Sequence, residues 1–115
     1  MDLIRGRVFM FGFLFGKNKA IDGFATHMAD DLFSAIPQDV ATQYLGGKTD
    51  KKKIKAADSK IHDLAIRFRQ FKLNEKLGVY GKARLHLTFM SRLESLGYDE
   101  NLTKRINEMI LLKST

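Results

Sequence analysis

Residues 51–72 read KKKIKAADSKIHDLAIRFRQFK. Ile54, Ala57, Ile61, Leu64, Ala65, Phe68 and Phe71 recur there at steps of three and four. A helix carries all seven on one face over about five turns. Thr49 or Asp50 can cap its start, and it ends between Lys72 and Gly78. On a wheel turning about 100° per residue, Lys51, Lys55, Arg69, Lys72 and Lys76 fall on one flank of the apolar stripe. Lys53, Lys60 and Arg67 fall on the other. The charges bracket the buried face, with their aliphatic stems along the core edge.

The same period runs outward in both directions. Ile21, Phe24, Ala25, Met28, Leu32 and Ile36 mark a first helix from Asn18, its N-cap, to Ile36, where Pro37 stops it. A short helix covers Gln38 to Leu45 and ends at Gly46-Gly47. Another long helix starts at Val79 or Gly81 and ends at Leu96. Tyr80, Ala83, Leu85, Leu87, Phe89, Met90, Leu93 and Leu96 cover more than half its circumference. Such a helix is expected at the centre, buried by several neighbours. Gly97 suits the position after its last turn, and Asp99 caps a final helix whose stripe is Leu102, Ile106, Met109 and Ile110. The expected fold is all-α, a compact bundle of four to five helices with short connections.

Ahead of the bundle, Val8 to Phe15 is an apolar run. Residues 1–16 are expected to form a Phe-rich N-terminal arm, and residues 17–115 a single helical domain. In an extended chain Phe9, Phe11, Phe13 and Phe15 share one side. The run is far shorter than the roughly 20 residues a membrane-spanning helix needs. It ends at Gly16-Lys17-Asn18-Lys19 without the small-residue cleavage site of a signal peptide. With no export signal, a cytoplasmic location is expected. The four phenylalanines, with Ile66 opposite the buried face of its helix, are candidate partner contacts, for a second copy of the chain or a membrane interface. Phe33, off the stripe of the first helix, adds to that apolar surplus.

Length and composition bound the rest. A chain of 115 residues with 44% hydrophobic content is one domain with a real core. It has no cysteine, which removes disulfides, thiol catalysis and cysteine-rich zinc sites. The net charge of +7 is uneven. Residues 1–47 carry four basic side chains and five acidic ones, whereas residues 48–92 carry thirteen basic against four acidic. A positive field of that kind attracts polyanions, nucleic acid ahead of an anionic membrane.

The turn from Gly78 to Arg84 is the most specific local feature. Two glycines, then Lys82 and Arg84, stand where a helix begins, and free N–H groups there can hold a phosphate. It is not a P-loop: Lys76 stands where the leading glycine belongs, and no Ser or Thr follows Lys82. A plain helix–helix turn with Tyr80 packed is the competing reading. His27, His62 and His86 lie on three different helices. The pairs His27/Asp31 and Asp58/His62 have the four-residue spacing of two ligands on one face, yet no Glu-x-x-His repeat accompanies them. No metal, cofactor, small-molecule substrate or catalytic residue is implied, and the chain is expected not to be an enzyme. The expectation is a small basic binding protein. It contacts nucleic-acid phosphates through Lys51, Lys52, Lys53, Lys55, Arg67, Arg69, Lys82 and Arg84, with interaction through the Phe-rich arm as the alternative.

Overall fold

The computed structural model describes the backbone of residues 2–47 and 51–115, and the side chains of residues 16–47 and 51–115. Five helices make the fold: α1 (Asp2–Ala35), α2 (Gln38–Gly46), α3 (Lys51–Asn74), α4 (Val79–Leu96) and α5 (Glu100–Lys113). The all-α bundle read from periodicity is the observed architecture. One boundary differs. α1 runs without a break through Gly16, Lys17 and Asn18, so Asn18 is not its N-cap. A side chain caps a helix only where the preceding backbone leaves helical geometry, and here it does not. Thr49 and Asp50, and the side chains of Phe9, Phe11, Phe13 and Phe15, lie outside the described residues.

The other helix ends follow local chemistry. Pro37 disfavours helix at the residue before it, and α1 stops at Ala35. Asp99 accepts from the backbone N–H of Leu102 at 2.7 Å and caps α5. Gly97, at φ 131°, closes α4 with its N–H on the carbonyls of Leu93 and Glu94. α3 ends on a residue less suited to the task. Lys76 has φ 50°, and the Leu77 N–H reaches back to the Lys72 carbonyl at 3.0 Å. That is a Schellman-type turn with lysine where glycine is usual.

Contacts between helices set the topology. Asp22 meets Arg84 and Asp30 meets Arg92, both 62 residues apart, so α1 and α4 run parallel. Phe24 stacks on Phe71 with ring centres 4.1 Å apart, and Asp31 meets Lys60 and Arg67, so α3 runs antiparallel to α1. α5 folds back along α4, and its end meets that of α3 where Lys72 reaches Ser114. Around the bundle the order is α1, α4, α5, α3, and the α3–α4 connection crosses the diagonal. Phe68 and Phe89, both fully buried, meet edge-on across the centre at 5.0 Å. Around them pack Ile21, Met28, Leu32, Ile61, Leu64, Leu85, Leu93, Ile106 and Ile110. Tyr98 is buried, its hydroxyl donates to the Ile36 carbonyl, and its ring packs against Phe33, tying the α4–α5 turn to the end of α1.

α4 is not buried all round. Val79, Tyr80 and Leu87 are 89%, 63% and 62% exposed, and Ala83 beside them is exposed too. α1 and α5 cover two sides of α4 and leave the third to solvent. Among the described residues no helix is long and apolar enough to cross a membrane.

Candidate anion-binding site

The basic residues singled out in the sequence fall into three places. Lys51, Lys52, Lys53 and Lys55 are exposed on the first turns of α3. Arg67 and Arg84 face α1 and are matched there. Asp31 takes Lys60 at 2.7 Å and Arg67 at 3.1 Å on the same oxygen. Asp22 takes Arg84 through two parallel bonds, from Nε at 2.9 Å and from Nη2 at 2.8 Å. The bond from Lys60 holds Asp31 below the usual carboxylate range, and the bond from Arg84 does the same for Asp22, in each case against the opposing effect of burial. Arg92 is likewise matched by Asp30 at 2.8 Å.

Arg69 and Lys82 are the third group, and the fold places them together. The last turn of α3, the α3–α4 turn, the start of α4 and the end of α5 enclose a cavity of about 530 Å³. It is lined by Arg69, Lys72, Leu73, Lys76, Leu77, Lys82, Ser114 and Thr115. Four cations converge there, and among the described residues no acidic side chain lines it. Among the described residues none of the four forms an ion pair. Arg69 and Lys72 lie roughly 21–32 Å along α3 from Lys51–Lys55, so the two clusters are separate patches.

Lys72 is only 7% exposed. Its ammonium donates to the Ser114 hydroxyl at 3.0 Å. Burial pushes its pKa down, and the nearby charge of Lys82 adds to the effect. Behind it lies His86, buried against the Phe68 ring, with Nδ1 at 2.7 Å from Asn107 Oδ1. That oxygen only accepts, so Nδ1 carries the ring proton and Nε2 is an acceptor. Nε2 is buried and has no hydrogen-bond partner among the described residues. Burial lowers the His86 pKa, the Asn107 bond opposes this, and the Lys72 charge lowers it further. The imidazole is therefore neutral in the folded protein near pH 7.

Lys72 and Lys76 were not among the candidate contacts. The signal for Lys72 was in the sequence: it follows Phe68 by four residues, Ala65 by seven and Ile61 by eleven, and so continues the buried stripe. Lys82 likewise precedes Phe89 by seven. Both lysines project from core faces at the end of the bundle, where the core opens to solvent.

The turn from Gly78 to Arg84 differs in one respect from the competing reading: Tyr80 is exposed, and its hydroxyl accepts from Arg84 at 3.1 Å. Gly81 sits close to the turn before it: a Cβ there would meet the Leu77 side chain at 3.2 Å, a tight contact. The carboxylates of the two histidine pairs are committed elsewhere, Asp31 to its cations and Asp58 to the Tyr44 hydroxyl. Among the described residues no group of three metal-ligating side chains occurs. Ile66 is 45% exposed, as its position on α3 predicts. A roomier hollow of about 690 Å³ beside α1 has a mixed lining, in which Asp22 and Arg84 already neutralise each other.

Comparison with known proteins finds no matching family model, no matching curated protein and no matching solved structure.

Proposed function

We propose that this chain is a non-enzymatic binding module for phosphate-bearing polyanions, nucleic acid ahead of anionic membrane, which it contacts at the backbone and not at base edges. One observation carries the reading: acidic side chains of α1 match the cations facing them, whereas Arg69, Lys72, Lys76 and Lys82 share a cavity lined, among the described residues, by no acidic side chain and form no ion pair there. The exposed Lys51, Lys53 and Lys55 extend the same sign of charge along α3. Unmatched cations release condensed counterions when they meet phosphates, which makes such binding strong at low salt and steeply salt-dependent.

Fluorescence anisotropy of labelled single- and double-stranded oligonucleotides, at about 50 and 200 mM salt, tests it. The wild type is expected to bind at the lower salt. Changing Lys51, Lys53 and Lys55 to alanine is expected to weaken that binding and to make its salt slope shallower, by about 0.9 for each phosphate that is no longer neutralised. No binding at the lower salt overturns the reading.

A second reading, association with another copy of the chain, is favoured by the exposed Val79, Ala83 and Leu87, which recur every four residues along α4. Sedimentation velocity of the wild type and of Leu87→Glu separates it from the first: a dimer that Leu87→Glu dissociates supports it, and a wild-type monomer excludes it.

A further inference from the structure

We infer that the cavity between the ends of α3 and α5 and the start of α4 is a discrete site for a compact phosphate dianion, free phosphate or a terminal phosphate monoester. This deepens the polyanion reading and rests on the same unmatched cations, but it concerns a pocket and not a surface, and free phosphate tests it without nucleic acid.

Four features point there. The first is Lys72. Burying an ammonium is costly unless charge and hydrogen bonds compensate it, and at 7% exposure Lys72 has only the Ser114 hydroxyl. An anion in the cavity supplies the missing charge. The second is convergence. Arg69 and Lys72 come from α3, Lys76 from the turn and Lys82 from α4, while Ser114 and Thr115 bring hydroxyls from the other side. An isolated surface cation would be solvated separately, but these share a cavity of about 530 Å³, room for a phosphate and part of the group it is attached to.

The third concerns an explanation that needs no ligand. α3 and α5 both end here, and helix C-termini attract cations. Three of the last four carbonyls of each helix, however, already have donors. The Phe71, Lys72 and Leu73 carbonyls accept from the backbone N–H groups of Glu75, Leu77 and Lys76. Those of Ile110 and Leu111 accept from the Ser114 N–H, and that of Leu112 from the Thr115 hydroxyl. The lysine ammonium groups are not needed to cap them. The fourth is Lys76. It holds a left-handed backbone conformation that glycine adopts without strain. At that conformational cost its ammonium-bearing side chain lines the cavity.

The test is isothermal titration calorimetry of the full chain with inorganic phosphate at constant ionic strength, followed by 5′-phosphorylated and 5′-hydroxyl forms of one short oligonucleotide. Phosphate is expected to bind the wild type with one site per chain. Arg69→Gln and Lys82→Gln are each expected to weaken it about tenfold. Lys72→Met, which keeps the buried stem and removes the charge, is expected to abolish binding while leaving the helical content intact. The triple change of Lys51, Lys53 and Lys55 to alanine is expected to leave phosphate binding unchanged. A wild type that takes no phosphate, or a Lys72→Met protein that takes it as well as the wild type does, overturns the inference. So does an equal loss in the triple variant, which would mark general charge attraction. If Lys72→Met fails to fold, the Arg69 and Lys82 variants, altered at exposed positions, decide alone. A preference for the phosphorylated oligonucleotide assigns the site to a strand terminus, and equal affinity for both forms assigns it to free phosphate. If phosphate binds and neither oligonucleotide does, the pocket stands and the nucleic-acid reading falls.

Discussion

The two sides of α3 carry similar numbers of cations and have opposite fates. On the side facing α1, Lys60 and Arg67 share the Asp31 carboxylate. At its foot, Arg69 and Lys72 meet Lys76 and Lys82 with no acidic side chain among the described residues that line the cavity. A wheel gives Lys60, Arg67 and Arg69 equivalent flanking positions. What separates them is the neighbour, acidic α1 in one case and an open bundle end in the other. Net charge therefore says little about where an anion can bind. The pairing of each cation says more.

Four measurements test the contrast between the two sides of α3. The largest effect is expected at Lys72. Replacing an inadequately compensated buried charge by an apolar side chain of similar length is expected to raise stability by about 1–4 kcal/mol, read from urea unfolding of Lys72→Met. A loss of stability instead would mean that the Ser114 bond compensates the charge and that the foot resembles the α1 side after all. Lys76→Gly comes next. Relief of the left-handed strain is expected to add about 1 kcal/mol, while phosphate affinity falls. If both rise together, Lys76 has no part in the site.

On the other side, Asp31→Asn removes the shared partner of two part-exposed cations, at an expected cost under about 1 kcal/mol. The same change frees Lys60 and leaves Arg67 only its longer contact with Asp63 at 3.9 Å, so oligonucleotide binding is expected to tighten and its salt slope to steepen. An unchanged slope would show that pairing does not control where phosphates bind. The last measurement is the pH dependence of stability. The folded pKa of His86 lies below its unfolded value near 6.5. The unfolded chain then binds the extra proton first, so the His86 contribution is fully present above about pH 6.5 and lost as the pH falls below it. Urea midpoints at several pH values should show this decline, and His86→Leu should remove it. A decline that survives the substitution belongs to another group.

Much of the fold was legible because helix periodicity is local. The stripe from Ile54 to Phe68, the Gly97 stop and the Asp99 cap each depend on a few neighbouring residues. The start of α1 was not, because a capping residue such as Asn18 is silent inside a continuous helix. The exposed side of α4 was not either: Tyr80 and Leu87 extend an apolar arc, but only the packing order shows that no third helix is there. The candidate site was half legible. Arg69 and Lys82 were named, but the acids that hold Arg67 and Arg84 most closely, Asp31 and Asp22, lie 36 and 62 residues away, beyond the reach of any local pattern. Lys72 was hidden differently. Its spacing from Ile61, Ala65 and Phe68 gives its direction around the helix and not its height along the bundle, so the stripe shows a lysine in line with the core and not the cavity at the core's end.

The diagonal crossing between α3 and α4 also bears on how the chain is made. α1 finds its most extensive partner 62 residues later. At a synthesis rate of about 5–20 residues per second, the stripe from Ile21 to Ile36 waits about 3–12 s for α4 to follow it. During that interval a nascent chain presents an uncovered apolar helix, the sort of surface that chaperones engage and that aggregates form on. A bundle built of local contacts would close sooner. Here the helix made first is among the last to be enclosed.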